Sequence, residues 1–306
     1  DGGGAAAVRM TSARAGTGLS VLSAVVLASC GGGGGAGGSA APAAKTAGAS
    51  FERAQEWIRK AASAPLPTAP PAPSPLPPNW VPEPPPEFKT EEVEAIRLLE
   101  ETVAGQPAHG AAHRSLGDLL GPHAIRRFDR RREEQARRTA GRRATPAPQP
   151  SDQGVDWSDE RVVRAYRGAI EADPTSTDAV EALIRFADRV DRFDDADAGY
   201  RELLKRVRES PEPHVRYGDF LKDRRKDPFA AVEQYRQALI WKPDDEETRR
   251  KVAEIYLDMA ATHLTRREYA AADDRVREAA KYVTDGSTPT GRRLKDYQDR
   301  LRDIRR

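Results

Sequence analysis

The chain has 306 residues, with 50 lysine and arginine residues against 48 acidic residues, so its formal net charge is only +2. This near balance argues against a dedicated nucleic-acid-binding protein, and no nucleic-acid partner is expected. Aromatic residues make up 6% of the chain and charged residues 32%, with 24 glycines and 24 prolines, so much of it cannot belong to a hydrophobic core.

Residues 1–30 have the features of a bacterial signal peptide. The chain begins with Asp1, and Met10 fits a translation start. Arg14 supplies a basic residue ahead of an apolar run over residues 19–28. That run is too short to span a bilayer but suits the hydrophobic region of a signal peptide. It closes with Leu27-Ala28-Ser29-Cys30, which resembles the lipobox of bacterial lipoproteins.

Cys30 is the only cysteine, which excludes disulfides and a cysteine-based metal cluster within one chain. Taken alone, it would be a free thiol in a low-complexity segment, but its place at the end of the apolar run favours lipidation. The lipobox resemblance implies a diacylglyceryl thioether on Cys30 and cleavage before it. Gly31, in place of Asp, then implies sorting to the outer membrane. We therefore expect a lipid-anchored protein of the bacterial cell envelope.

Two segments after the lipobox are predicted to connect it to the folded part. Residues 31–50 are mainly Gly, Ala and Ser, which predicts a flexible tether. Residues 51–63 predict a short amphipathic helix with Phe51, Trp57 and Ile58 as its apolar residues. The sequence leaves open whether this helix rests on the membrane, docks on the folded domain or stays partly formed in a linker.

Residues 64–89 predict a proline-rich linker. Half of residues 64–87 are proline, so an extended polyproline II segment is expected, which would hold the folded part away from the membrane. Such runs also bind aromatic-lined grooves. A scattered Pro-Leu-Pro-Pro without a basic flank favours the spacer.

A motif that returns three times organises residues 90–285. It places a small or branched residue, an aromatic residue, an apolar residue and a proline at offsets of 0, 4, 7 and about 12. The first three offsets share one helix face, and proline ends the helix. The tyrosines are 34 and 35 residues apart, which predicts a solenoid of helix pairs. The copies are Val162/Tyr166/Ala169/Pro174, Ala196/Tyr200/Leu203 with a late Pro211, and Ala231/Tyr235/Ala238/Pro243.

A first helix is expected ahead of each copy, with large residues around one small residue where the two helices cross. This pattern resembles the tetratricopeptide repeat (TPR) family over about residues 91–285. The resemblance implies an all-α, TPR-like solenoid of helical hairpins. In the second copy Ile184 stands at the small position, so the crossing is expected to be wider or to shift onto Ala182. The first-helix segments are Leu116-Gly117 with Leu120, Tyr217-Gly218 with Leu221, and Val252-Ala253 with Tyr256. The last of these precedes a final copy that has Val276 at the aromatic position, with Ala272 and Ala279 around it.

The ends of the repeats and one insertion complete the predicted architecture. The helix after Thr90 is expected to be an unpaired second helix that caps the array. Residues 286–306 predict a C-terminal capping helix, with Leu294, Tyr297, Leu301 and Ile304 on one face. Residues 122–157 predict an insertion, in which residues 126–143 hold nine arginines against three acids. This arginine-rich part is either a solvated charged helix or a contact for anionic lipid or polymer.

No constellation of catalytic residues is found. His109, His113 and His123 suggest a metal at first sight, but His109 lies at a helix boundary and His113 at a packing position. No phosphate-binding loop, nucleophile elbow or paired carboxylates in an apolar setting occur. We therefore expect a protein that is not an enzyme and that holds no cofactor or metal.

The TPR resemblance also implies a concave surface formed by the first helices, which holds a protein partner. Its charges alternate in sign along the predicted groove, which favours a partner segment of mixed charge. We expect a lipid-anchored adaptor or scaffold of the cell envelope. The alternative is a structural lipoprotein whose arginine-rich insertion contacts anionic lipid or polymer. The predicted concave residues are Arg114, Asp118, Glu181, Arg185, Val215, Asp219, Arg250 and Glu254.

Overall fold

Eleven α-helices and no strand make up the part of the chain that the computed structural model describes, residues 40–77, 84–140, 150–151 and 153–304. The predicted signal peptide, the lipobox and Cys30 lie outside these residues. The helices are α1 Ala40–Ser63, α2 Thr90–Gly105, α3 Gly110–Thr139, α4 Asp159–Ala172, α5 Asp178–Arg189, α6 Phe193–Arg206, α7 Pro211–Asp223, α8 Pro228–Trp241, α9 Glu246–Thr265, α10 Tyr269–Ala280 and α11 Pro289–Ile304.

Consecutive helices pair into five hairpins, from α1/α2 to α9/α10, and each second helix also packs on the first helix of the next hairpin. Helix α11 packs on α9 and α10 after the last hairpin, with Leu294 and Leu301 buried against them. Ile304, predicted on the same face, stays 41% exposed. The all-α, TPR-like solenoid expected from the repeat motif is the fold of this chain.

Glycine on the first helix lets the two helices of a hairpin approach closely. A Cβ atom added at Gly117 would lie 2.5 Å from Cε1 of Tyr166, and one at Gly218 would lie 2.6 Å from Cε1 of Tyr235. Both tyrosines are buried, and Tyr235 is fully so. The tyrosine ring of the second helix therefore lies against the bare backbone of the first, as the repeat motif predicts.

The second repeat achieves the same fit with the sizes exchanged. Its first helix carries Ile184, and the expected shift of the crossing onto Ala182 is wrong. The small residue lies instead on the second helix, where a Cβ atom added at Gly199 would lie 2.7 Å from Cγ1 of Ile184. A large residue on α5 thus fills the space that glycine leaves on α6.

Helix α1 begins at Ala40, within the segment predicted to be a flexible tether, so that prediction is wrong for residues 40–50. Ala47, Ala54 and Ala61 are buried at a spacing of seven residues, on the side that faces α2. Alanine is the best helix former, and its small side chain lets two helices pack closely. The helix that was expected to cap the array alone, α2, is therefore the second helix of a complete hairpin.

The proline-rich linker does not act as the predicted spacer, because its two ends meet. Nζ of Lys89 donates hydrogen bonds of 2.7 Å to the carbonyl oxygens of both Ala61 and Ala64. Phe88 is 1% exposed and belongs to the core of the first two hairpins. The segment thus leaves the first hairpin and returns to it.

The predicted insertion is partly a continuation of the repeat. Helix α3 runs through Pro122 to Thr139, and His123 and Ala124 are buried within it. The rings of His123 and Phe88 stack with centroids 4.0 Å apart, and Trp157 meets Phe88 edge-on at 5.8 Å. Both ends of the insertion therefore pack on the first two hairpins.

Candidate functional site

The first helices of successive hairpins lie side by side, and we call the surface formed by α3, α5, α7 and α9 the inner face. Helix α3 packs directly on α5, and side-chain ion pairs join α5 to α7 and α7 to α9. All the residues predicted to line the concave surface lie on these four helices. Val215 differs from the others because its side chain packs against the hydrophobic core.

Three of the predicted acid–base pairs are ion pairs within a single helix. Nε of Arg114 lies 2.9 Å from Oδ2 of Asp118, and Nη1 of Arg250 lies 2.6 Å from Oε1 of Glu254. Glu181 and Arg185 are farther apart, at 3.6 Å. Hydrogen bonds to Glu247 and Glu254 raise the pKa of Arg250. The charges of alternating sign therefore neutralise each other within each of these three helices.

A second set of ion pairs joins one hairpin to the next, or the last hairpin to α11, each with the acid earlier in the chain and the base later. Glu181 and Asp219 were predicted from the sequence, whereas none of the basic partners in this set was. The two residues of each pair are 32 to 36 positions apart in the sequence, which is close to the repeat period. This spacing between acids and bases is visible in the sequence and could have predicted the pairs. The pairs are Arg216–Glu181 at 3.1 Å, and Arg224–Asp188, Lys251–Asp219 and Arg293–Asp258 at 2.7 Å.

Two of the predicted acids are also held by buried tyrosines. The hydroxyl of Tyr166 donates to Asp118 at 3.1 Å, and that of Tyr235 donates to Asp219 at 2.7 Å. Burial, followed by the neighbouring carboxylate, raises the pKa of both tyrosines, which stay neutral donors at physiological pH. The repeat motif thus builds the core and also orients carboxylates on the inner face.

A groove of about 450 Å³ opens on the inner face between α3 and α5. Ile125, Phe186 and Tyr166 give it an apolar lining, while Asp118, Arg185 and Arg189 add charges of both signs. Arg189 already pairs with Asp129 at 2.7 Å, whereas the side chain of Arg185 is 62% exposed. An apolar lining with a few charged groups is the composition expected of a binding groove. The groove brings together only Asp118 and Arg185 of the predicted residues.

The arginine-rich part of α3 is engaged largely within the chain. Buried Glu87 accepts hydrogen bonds from both Arg126 and Arg130, and the guanidinium of Arg127 lies 5.2 Å from the centre of the Trp157 ring. Further pairs are Arg131–Asp159, Arg137–Glu133 and Arg138–Glu134. Arg142 and Arg143 lie outside the described residues. These contacts agree with a charged helix whose arginines have local partners.

The three histidines weighed as metal ligands have other contacts. His109 caps α3 by accepting a hydrogen bond from the amide of Ala112, and Nε2 of His113 lies 2.9 Å from the carbonyl oxygen of Pro107. Nδ1 of His123 lies 3.1 Å from Glu87. Among the residues with described positions, no group of three or more His, Cys, Asp or Glu side chains is placed to hold a metal ion. None of the described helices combines the length and apolarity needed to cross a membrane.

Neither the protein-family models nor the curated proteins compared with this chain match it. Solved structures similar to it include MamA from Desulfovibrio magneticus, with 9% identity, a TM-score of 0.34 and coverage of 78% of this chain and 95% of that one. PilF from Pseudomonas aeruginosa has 12% identity, a TM-score of 0.33 and coverage of 86% and 93%. Human IFIT1, solved as a dimer with m7Gppp-AAAA, has 15% identity, a TM-score of 0.35 and coverage of 70% and 44%. Similarity at this level says nothing about which molecule this chain binds, and the TPR-like solenoid is established by the packing of its own hairpins.

Proposed function

We propose that the protein is a non-enzymatic adaptor or scaffold that binds a segment of a protein partner on its inner face. The observation that carries the proposal is the groove between α3 and α5, with its apolar lining and charges of both signs. Apolar side chains of a partner segment would enter the groove, while charged side chains of the same segment would form ion pairs with Asp118 and Arg185.

The ion pairs of the inner face do not prevent such binding. Exposed pairs contribute only about 0 to 1 kcal/mol each, so a partner's charges can replace them at small cost. The pair between Glu181 and Arg185 is the loosest of the predicted pairs, at 3.6 Å. Arg185 is therefore the inner-face cation that a partner carboxylate engages most readily.

Charge reversal at Arg185 tests this role. Arg185→Glu should weaken partner capture about tenfold, since it replaces an attraction with a repulsion at the groove. The stability should change little, because the side chain is mostly exposed and its one ion pair is long. The measurement is chemical crosslinking in membranes, followed by quantitative mass spectrometry of the captured proteins. Glu181 is left unchanged because it also holds Arg216 on the next hairpin.

Arg236→Glu is the matched control. Arg236 lies on the exposed side of α8, with a side chain 56% exposed and a long ion pair of 3.9 Å to Glu233 on the same helix. Arg236→Glu thus makes the same change of charge at a similarly exposed position, but on the second helix of a hairpin and therefore outside the inner face. Equal capture by wild type and Arg185→Glu, or an equal loss in both variants, would contradict binding on the inner face.

We further propose that the chain is anchored in the bacterial outer membrane by lipid on Cys30. The support is sequence alone: the apolar run over residues 19–28, the closing Leu27-Ala28-Ser29-Cys30 and the Gly31 that follows. More than one acyl chain on the cysteine would give stable anchoring.

Cys30→Ala should move the protein from the membrane fraction to the soluble envelope fraction and abolish incorporation of labelled palmitate. Ser23→Ala, within the apolar run, is the control that should leave both unchanged. Cys30→Ala protein that still sediments with membranes in high salt would show that the anchor lies elsewhere.

The alternative, a surface-binding lipoprotein that uses its arginine-rich insertion, gains no support from the described residues. Most of the described arginines there contact an acid or an aromatic ring of the same chain. A ligand would have to displace several of these contacts at once.

A further inference from the structure

The connection between α1 and α2 is much longer than its geometry requires. Lys89, just before α2, donates hydrogen bonds of 2.7 Å to Ala61 and Ala64 at the end of α1, so the two ends of the connection touch. Two helices joined in this way normally need only 2 to about 8 residues. Connections longer than about 12 to 15 residues are uncommon in compact domains, and those that occur often carry a function. The length of the connection therefore leaves room for a role beyond joining the two helices.

Residues 65–73, which we call the proline segment, form the first part of this connection and lie at the protein surface. All of them are exposed except Pro67, which is half-buried, and Leu66 is 79% exposed. Every residue except Thr68 is a proline or directly precedes one. Proline fixes its own φ near −65° and biases the residue before it towards extended conformations. Polyproline II is therefore the conformation that this segment favours.

The order of residues gives that helix two adjacent apolar edges. Polyproline II has three residues per turn, so residues three apart share an edge. Pro67, Pro70 and Pro73 lie on one edge, and Leu66, Ala69 and Ala72 lie on the next. The third edge carries Pro65, Thr68 and Pro71. Three successive apolar–proline dipeptides thus follow one another in the same phase, and all of their residues except half-buried Pro67 are exposed.

We propose that the proline segment is a polyproline II ligand, displayed by the first hairpin for a partner domain with an aromatic-lined groove. Aromatic grooves recognise such segments because the ligand is already ordered and loses little entropy on binding. Residues 64–88 contain no lysine or arginine, so the groove recognises apolar and proline side chains and not a basic flank. This site is separate from the inner face and does not depend on the proposed function of that face.

The test uses three isotope-labelled domains with aromatic-lined grooves as probes: a WW domain, an SH3 domain and an EVH1 domain. Each is titrated with the whole chain while the amide signals of its groove are followed by NMR. At least one probe should show saturable shifts confined to its groove. Pro70→Ala, on the docking edge, should weaken that binding about tenfold or more.

Pro71→Ala is the matched control, because it removes one proline beside the first but on the edge that faces away. It should change the affinity less than about threefold, whereas a general effect on chain stiffness would weaken both variants alike. Both residues are exposed, so circular dichroism should show the same thermal unfolding for both variants and wild type. Absence of groove shifts with all three probes, or equal loss in the two variants, would overturn the proposal.

Discussion

Ala54→Glu is expected to destabilise the protein by at least about 3 kcal/mol, because it places a carboxylate in the interface between α1 and α2. Ala54 is 0% exposed and lies in the same core as Phe88 and Leu99. A glutamate there must either push the two helices apart or lose its hydration without a partner. Either outcome releases α1 from the first hairpin.

Denaturant unfolding followed by circular dichroism gives the loss of stability, and trypsin reports the release of α1. Arg53 and Arg59, which lie on the packed helix, should be cut in the variant and protected in the wild type. Ala49→Glu is the control, because Ala49 is exposed on the same helix and the change should be nearly neutral. Equal cleavage of α1 in wild type and Ala54→Glu would mean that residues 40–63 are a tether after all.

Tyr235→Ala is the second change with a large expected effect, at about 3 to 5 kcal/mol for removal of a large buried aromatic side chain. Tyr235 is 0% exposed, its ring lies against the backbone of Gly218, and its hydroxyl donates to Asp219 at 2.7 Å. Removal of the ring leaves a cavity that the glycine cannot fill. It also takes one hydrogen bond from an acid that joins α7 to α9.

Tyr235→Phe separates the ring from the hydroxyl. It should cost only about 1 kcal/mol, because Asp219 keeps its bonds to Lys251 when the hydroxyl is lost. Each hairpin contacts only its neighbours, so hydrogen exchange in Tyr235→Ala should speed up in α7, α8 and α9 before α3 or α4. Uniform acceleration along the chain would contradict a solenoid of locally coupled hairpins.

The sequence predicted the hairpins from α3 to α10 because their motif is local. Tyr166, Tyr200 and Tyr235 recur at a nearly constant period, and each aromatic residue with its small neighbours lies on one helix face. The second repeat has its large residue, Ile184, on the first helix and its small residue, Gly199, on the second, and there is a physical reason why the sequence did not predict this exchange. A close approach needs one small residue, and either helix can supply it, whereas the motif specifies only the first helix.

Helix α1 was missed because its buried residues are alanines within a glycine- and alanine-rich stretch. Ala47, Ala54 and Ala61 do follow a seven-residue period, but low hydrophobicity and the neighbouring low complexity concealed it. The role of the proline-rich connection could not follow from composition either. Whether such a segment is a spacer or a loop depends on whether its flanking helices pack on each other, which is a tertiary property.

The sequence predicted which residues lie on the candidate site but not which of them form ion pairs with each other. Arg114, Asp118, Glu181, Arg185, Asp219, Arg250 and Glu254 all lie on first helices, as the TPR resemblance implies. The pairing of Glu181 with Arg216, and of Asp219 with Lys251, depends on how one hairpin stacks on the next. The groove beside Phe186 likewise arises only when α3 and α5 lie side by side.

Site-specific photo-crosslinking tests most directly the claim that a protein partner binds the inner face. A photoreactive amino acid would replace Arg185 in one variant and Arg236 in another, and each would be irradiated in intact cells. Binding of a partner on the inner face predicts one discrete protein adduct from position 185 and none from position 236. The same adduct from both positions, or an adduct from position 236 alone, would contradict it.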